Sequence, residues 1–293
     1  MSVQTVLIVS HDAGGSNLLA YWCQKWQSRV NFIYQLAGPA LPIFAALDLN
    51  LGLDVNQAGN APFPSPAAVD AVVTATGWQS DMEHQAIKWA RQHDIPCASY
   101  LDHWVNYQAR FVRDGVALYP DEIWAADRDA FKLAKDIFSL KNIKIRFMAN
   151  QYFRELKRQL AENSEQADSI LICLEPIRNG ISYAQVYPQL VRYLAGSGYQ
   201  TNRVVIRDHP SGCDTGLEML KDLLAPKFQV TISQQALWQD LACARAVVGY
   251  QSSVLAYACY LKITAISFFP VDKLEPILPH KNIEYFKHNM TIL

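Results

Sequence analysis

Short apolar runs of strand type alternate with helically spaced segments along most of this chain, and no other feature constrains its fold as strongly. TVLIVS (5–10) is a buried-strand run, and GSNLLAYWCQKW (15–26) follows with helical spacing. VNFIYQL, AVDAVVTAT, IPCASYL, DEIWAA and IKIRFM continue the strand series. SDMEHQAIKWARQH and DRDAFKLAKDIF supply helices between them, the first with Met82, Ala86, Trp89 and Ala90 on one face. Strands separated by helices pair in parallel through crossovers, so the pattern predicts an α/β layered lobe.

The alternation breaks once, at YFRELKRQLAENSEQAD, a charged helix running into a polar stretch, and then restarts with SILICLE. The expected organisation is a lobe over 1–150, a linker over 151–167 and a second lobe over 168–293. Each lobe is read as Rossmann-like with a parallel sheet. Ligands are expected in a central cleft facing the C-terminal ends of the strands.

At 293 residues, 51% apolar and 18% charged, the chain has ample material for two cores. A formal net charge of −1 gives no sequence-wide reason to expect a nucleic-acid partner. Six scattered cysteines without C-x-x-C spacing read as reduced thiols of a cytoplasmic protein. The opening MSVQTVLIVSHDAGG reads as a first strand, not a secretion signal, and no apolar stretch reaches membrane-spanning length. Seven Trp and fourteen Tyr leave room for a peripheral contact with the inner face of the membrane.

Candidate chemistry gathers where strands end. His11-Asp12-Ala13-Gly14-Gly15-Ser16-Asn17 lies between the first strand and its helix, where Gly14 and Gly15 let backbone approach a ligand. The spacing G-x-G-x-x-G is absent, which excludes the dinucleotide fingerprint. Asp102-His103-Trp104-Val105-Asn106-Tyr107 follows IPCASYL. Its Asp and His can bind or deprotonate a hydroxyl and its rings can cover a sugar face; the alternative is an aromatic plug with Asp102 paired to Arg110. Thr74-Ala75-Thr76-Gly77-Trp78 is placed on the same edge. In the second lobe, Arg207 and His209 close a strand where a phosphate could sit, and Glu175, with Arg178 and Gly180, ends the neighbouring one. Gly249-Tyr250-Gln251-Ser252-Ser253 brings two hydroxyls and several N–H groups to a helix start, which favours an anion, although either serine can also cap the helix. G-x-S-x-G is not matched there, so a catalytic serine is not expected. Asp127-Arg128-Asp129 opens a helix and reads as capping. No H-E-x-x-H, zinc spacing or P-loop occurs, so no metal site is expected.

These motifs together resemble the two-lobed GT-B glycosyltransferase superfamily and its relatives the UDP-N-acetylglucosamine 2-epimerases. The His-Pro at 209–210, followed about forty residues later by Ser252-Ser253, is similar to paired motifs of bacterial sialyltransferases and glycerol-phosphate polymerases. The resemblance implies that His209, Ser252 and Ser253 contact the phosphates of a donor nucleotide; Glu175, Arg207 and Gln251 are expected beside them from their own places at strand ends and the helix start. It also implies an acceptor-binding N-terminal lobe with Asp12, Gly14 and Gly15 near the reaction centre. The sialyltransferase D/E-D/E-G motif and the ribose-binding Glu of many C-terminal helices have no counterpart. The expectation is therefore a metal-independent glycosyltransferase with no required cofactor, using a nucleotide-sugar donor and a glycan or other hydroxyl acceptor in surface polysaccharide synthesis. Asp12 is the expected base, with Asp102 and His103 as the other catalytic candidates. A nucleotide-sugar epimerase or hydrolase and a catalytically silent nucleotide-binding scaffold are the rival expectations.

Overall fold

The computed structural model describes residues 4–49, 62–163, 168–176, 182–210, 214–268 and 278–286. Cys213, Arg178 and Gly180 lie outside them. By contacts the chain divides into two units, Met1–Arg154 and Glu155–Leu293.

The first unit holds a six-stranded sheet. Its strands are β1 (Thr5–Ser10), β2 (Asn31–Leu36), β3 (Ala71–Thr74), β4 (Cys97–Leu101), β7 (Glu122–Ala125) and β8 (Lys144–Phe147), in the order β2-β1-β3-β4-β7-β8. Every neighbouring pair is parallel. A two-stranded hairpin, β5 (Val112–Arg113) with β6 (Val116–Ala117), is inserted after β4. Helices α1 (Ala13–Trp26), α2 (Ala40–Ala45), α3 (Met82–Gln92) and α4 (Arg128–Ile137) connect the strands, and α5 (Gln151–Glu162) runs across the unit boundary.

Because side chains alternate across a strand, β1 feeds two cores. Val6 and Ile8 pack with Leu19, Trp22 and Phe44 of α1 and α2, while Leu7 and Val9 pack with Ala86, Ile87 and Ala90 of α3. Burial on both faces explains why the strand reads as an unbroken apolar run.

The second unit repeats the scheme. Its strands are β9 (Ser169–Cys173), β10 (Arg203–Arg207), β11 (Gln229–Ile232), β12 (Ala244–Gly249), β13 (Thr264–Phe268) and β14 (Ile283–Phe286), in the order β11-β10-β9-β12-β13-β14. All of these pairs are parallel too. Its helices are α6 (Tyr183–Gly196), α7 (Leu217–Leu224), α8 (Leu237–Ala242) and α9 (Ser253–Leu261). Ile170, Ile172, Val204 and Ile206 meet Val186, Leu190, Leu220 and Leu224 of α6 and α7. The hairpin, α2 and β14 are elements that the sequence pattern did not predict.

No helix among the described residues is long and apolar enough to cross a membrane.

Candidate functional sites at the strand ends

In each sheet the strand order reverses beside the first strand of the unit, between β1 and β3 and between β9 and β12. Loops diverge there, leaving a crevice outside the C-terminal strand ends. In both units a carboxylate two residues beyond the first strand bridges that crevice and accepts backbone N–H groups from the loop opposite.

In the first unit the carboxylate is Asp12. Its Oδ2 accepts the N–H of Trp78 at 2.6 Å and that of Gln79 at 3.4 Å, and its Oδ1 lies 2.8 Å from His11 Nδ1. Asp12 occupies the N-cap position of α1 yet makes no side-chain cap, because its oxygens are used across the crevice. Gly77 admits it: a Cβ there would lie 2.9 Å from Asp12 Cγ. The imidazole of His11 fits because residue 38 is glycine, at φ +53°, where a Cβ would fall 2.6 Å from Nε2. Among the described residues nothing hydrogen-bonds His11 Nε2.

Below this turn lies Glu83. It is 3% exposed, and its Oε1 accepts the His11 N–H at 2.9 Å. Burial pushes its carboxyl up to about 7, against the lowering effect of its own and the His11 N–H bonds; the nearby Asp12 charge raises it further. Sequence reasoning overlooked Glu83, although a signal was present. On α3 an acidic residue stands three, four and seven positions before Ala86, Ile87 and Ala90, on the buried face.

Asp102 is committed elsewhere. Its Oδ1 accepts Arg110 Nη1 at 2.7 Å and the Thr76 hydroxyl at 3.2 Å, and Arg110 also donates to the Thr76 carbonyl at 2.8 Å. The pair is largely buried, so the ion-pair alternative weighed for Asp102 is the one observed. Gly14 and Gly15 accommodate protein atoms in this structure. A Cβ on Gly14 would lie 2.2 Å from Asp102 Oδ2, and one on Gly15 2.5 Å from the Ala75 Cβ. His103 packs against Trp104.

The rings expected to cover a sugar are a correction. Trp104 and Tyr107 are buried at 3% and 2% exposure, and Trp104 Nε1 donates to Asp127 Oδ2. The exposed ring is Trp78, at 49%, with the guanidiniums of Arg110 and Arg113 5.7 and 6.0 Å from its centroid. Asp127 caps α4 through the Ala130 N–H, as its position suggested. A cavity of about 820 Å³ lies at the opposite, N-terminal edge of the sheet, lined by Trp22, Trp26, Val73, Trp124 and Arg146. None of the hydrogen-bonded polar groups described above lines it.

In the second unit the bridging carboxylate is Glu175. Its Oε1 accepts the N–H groups of Tyr250 at 3.0 Å and Gln251 at 2.9 Å, and the Ser252 N–H adds to these. The Ser267 hydroxyl holds the Tyr250 carbonyl at 2.6 Å, fixing the loop from its other side. Burial pushes the Glu175 carboxyl up to about 7, although the backbone donors pull the other way. Ser252 is the N-cap of α9, with its Oγ accepting the Val254 N–H at 3.3 Å. Ser253 opens the helix, and no described residue hydrogen-bonds its hydroxyl.

Arg207 is partly engaged within its own unit. Its Nη1 donates to Asp240 Oδ2 at 2.8 Å and to the Gln235 carbonyl at 2.7 Å, so this nitrogen ties β10 to α8, while no described residue hydrogen-bonds Nε or Nη2 of the part-exposed guanidinium. His209 lies two residues beyond β10, with its N–H on Asp208 Oδ1 at 2.8 Å. Since β10 and β12 flank β9, strand spacing puts their ends about 10 Å apart with Glu175 between.

Two six-stranded parallel sheets with these orders and flanking helices define the GT-B fold. Solved structures agree. A UDP-GlcNAc 2-epimerase from Methanocaldococcus jannaschii, in complex with UDP-GlcNAc and UDP, is similar over 97% of this chain and 89% of its own at TM-score 0.67 and 13% identity. MnaA of S. aureus, with UDP, is similar over 96% and 83% at 0.68 and 9%. A glycosyltransferase from Rickettsia africae is similar over 92% and 80% at 0.54 and 11%. No protein-family model matches the chain, and no curated protein matches it in sequence.

Proposed function

We propose that the chain is a nucleotide-sugar enzyme, and specifically a metal-independent glycosyltransferase acting in the cytoplasm on a glycan or other hydroxyl acceptor for surface polysaccharide. The 2.8 Å bond between His11 Nδ1 and Asp12 Oδ1 carries this reading. Asp12 was the expected base, but its oxygens already hold two backbone N–H groups and the imidazole. A carboxylate on Nδ1 fixes the tautomer and leaves Nε2 basic, so His11 becomes the base and Asp12 its orienting partner.

In the reaction so assigned, Nε2 takes the proton of the acceptor hydroxyl as its oxygen attacks the anomeric carbon. The bond from that carbon to the phosphate oxygen breaks, and the leaving nucleotide keeps the electron pair. Stabilising its charge is assigned to the second unit, through the Ser252 and Ser253 hydroxyls, the N-terminus of α9 and His209. Trp78 offers a half-exposed ring for stacking on a sugar face.

A second reading, nucleotide-sugar epimerisation, is favoured by the higher TM-score of the Methanocaldococcus jannaschii 2-epimerase, 0.67 against 0.54 for the Rickettsia africae glycosyltransferase. Incubating the protein with UDP-GlcNAc or CMP-N-acetylneuraminic acid, with and without oligosaccharide acceptors, separates the two. Acceptor-dependent release of nucleotide that His11→Gln abolishes supports transfer. Isomerisation of donor alone supports the epimerase.

A further inference from the structure

The N–H groups at the turn before α9 are not free to meet a ligand as a set: Tyr250 and Gln251 already give theirs to Glu175. Consecutive N–H groups converging at a helix start form an anion-binding concavity, and here the protein's own carboxylate sits against it. We propose that Glu175 is a positioning residue for phosphate binding at Ser252 and Ser253, and that an anion arriving there is accompanied by uptake of one proton at the Glu175 carboxyl. This inference rests on reading the second unit as the nucleotide site.

Geometry supplies the reason. Ionised Glu175 holds the loop in its converging shape but sets a negative charge beside the hydroxyls that would receive the phosphate. Protonated Glu175 still accepts the same N–H bonds through its carbonyl oxygen, so the loop keeps its shape while the repulsion disappears. Described groups facing Glu175 offer no compensating cation. They are the Cys173 thiol on β9, the Tyr187 phenol on α6 and the Tyr250 phenol, while Arg207 is directed to Asp240. Burial already raises the carboxyl to about 7, so the proton is exchangeable near neutrality. A cavity of about 50 Å³ lined by Glu175, Tyr187, Gly249 and Tyr250 is large enough to admit water as its carrier.

The sign follows from linkage. A ligand that prefers the protonated form binds tightest below about pH 7 and loses up to about tenfold in affinity per pH unit above it. The probes are UDP-GlcNAc and CMP-N-acetylneuraminic acid, whose phosphodiesters keep constant charge between about pH 6 and 8.5. Calorimetric titration in buffers of different ionisation enthalpy counts the protons taken up. Wild type is expected to take up close to one proton at pH 8 and to weaken as pH rises. Glu175→Gln, which keeps an acceptor oxygen toward the loop, is expected to bind at pH 8 at least as tightly as wild type with no uptake. Binding by wild type without proton uptake overturns the proposal, as does uptake that survives Glu175→Gln. If neither probe binds wild type at any pH, the nucleotide-site reading fails and this inference with it.

Discussion

The Trp78 N–H donates to Asp12 Oδ2 across 2.6 Å, joining the turn after β1 to the loop after β3 at the point where the strand order reverses. The second unit makes the same kind of link from Glu175 to Tyr250 and Gln251. One carboxylate per unit thus organises a crevice, and each unit's candidate chemistry is arranged around it.

Asp12→Asn is therefore expected to damage both structure and reaction. The amide can keep its oxygen on the two backbone donors only by turning its NH2 toward His11 Nδ1, and the charge-assisted bonds become neutral ones, so stability should fall by about 1–3 kcal/mol in urea denaturation. Turnover should fall by about 10²–10⁴ because Nε2 then carries the proton and cannot act as base. Full turnover in this variant would remove His11 and Asp12 from the mechanism.

Asp102 and Arg110 make the opposite prediction. Arg110→Ala leaves a buried carboxylate unpaired and should cost about 3–5 kcal/mol of stability. Asp102→Asn should show a loss of stability large enough to account for any loss of rate. A folded, fully stable but inactive Asp102→Asn enzyme would assign Asp102 to the chemistry.

Trp78 has half of its ring in solvent, so Trp78→Ala should change stability by no more than about 0.5 kcal/mol. Its effect is expected in the KM for the acceptor, about tenfold upward, with Trp78→Phe intermediate. Equal KM values in all three proteins would exclude the ring from sugar binding.

Glu83 predicts how stability depends on pH. Its carboxyl rises from 4.5 to about 7 on burial, so between those values the folded chain holds a proton that the unfolded chain has released. Stability from this group is fully present below about pH 4.5 and is lost as pH rises through 7, a change of about 3 kcal/mol. Glu175 acts in the same direction. A Tm series from pH 5 to 8 should therefore slope downward in wild type and less steeply in Glu83→Gln. A rising curve would contradict both assignments.

Much of the scaffold was legible because buried parallel strands such as TVLIVS and SILIC are continuous apolar runs, whatever their neighbours. IEYF, the sixth strand of the second sheet, carries a glutamate and only four residues, too little for periodicity to register. Candidate sites were found where strands end, but partnerships were not. Arg207 with Asp240, separated by 33 positions, and Glu83 under His11, by 72, are consequences of crossover topology that no local spacing records. Exposure misled in the same way. The loop of Trp104 and Tyr107 carries the denser aromatic signal yet lies in the core, while Trp78 faces water because its backbone, not its ring, is held by Asp12.

Calorimetric titration of wild type and of the Ser252→Ala, Ser253→Ala double variant with UDP-GlcNAc and CMP-N-acetylneuraminic acid addresses the phosphate site most directly. The account predicts that wild type binds at least one of these donors and that the double variant, with an unchanged circular dichroism spectrum, binds it at least about tenfold more weakly. Equal affinity in the two proteins, or no binding by wild type, would contradict it.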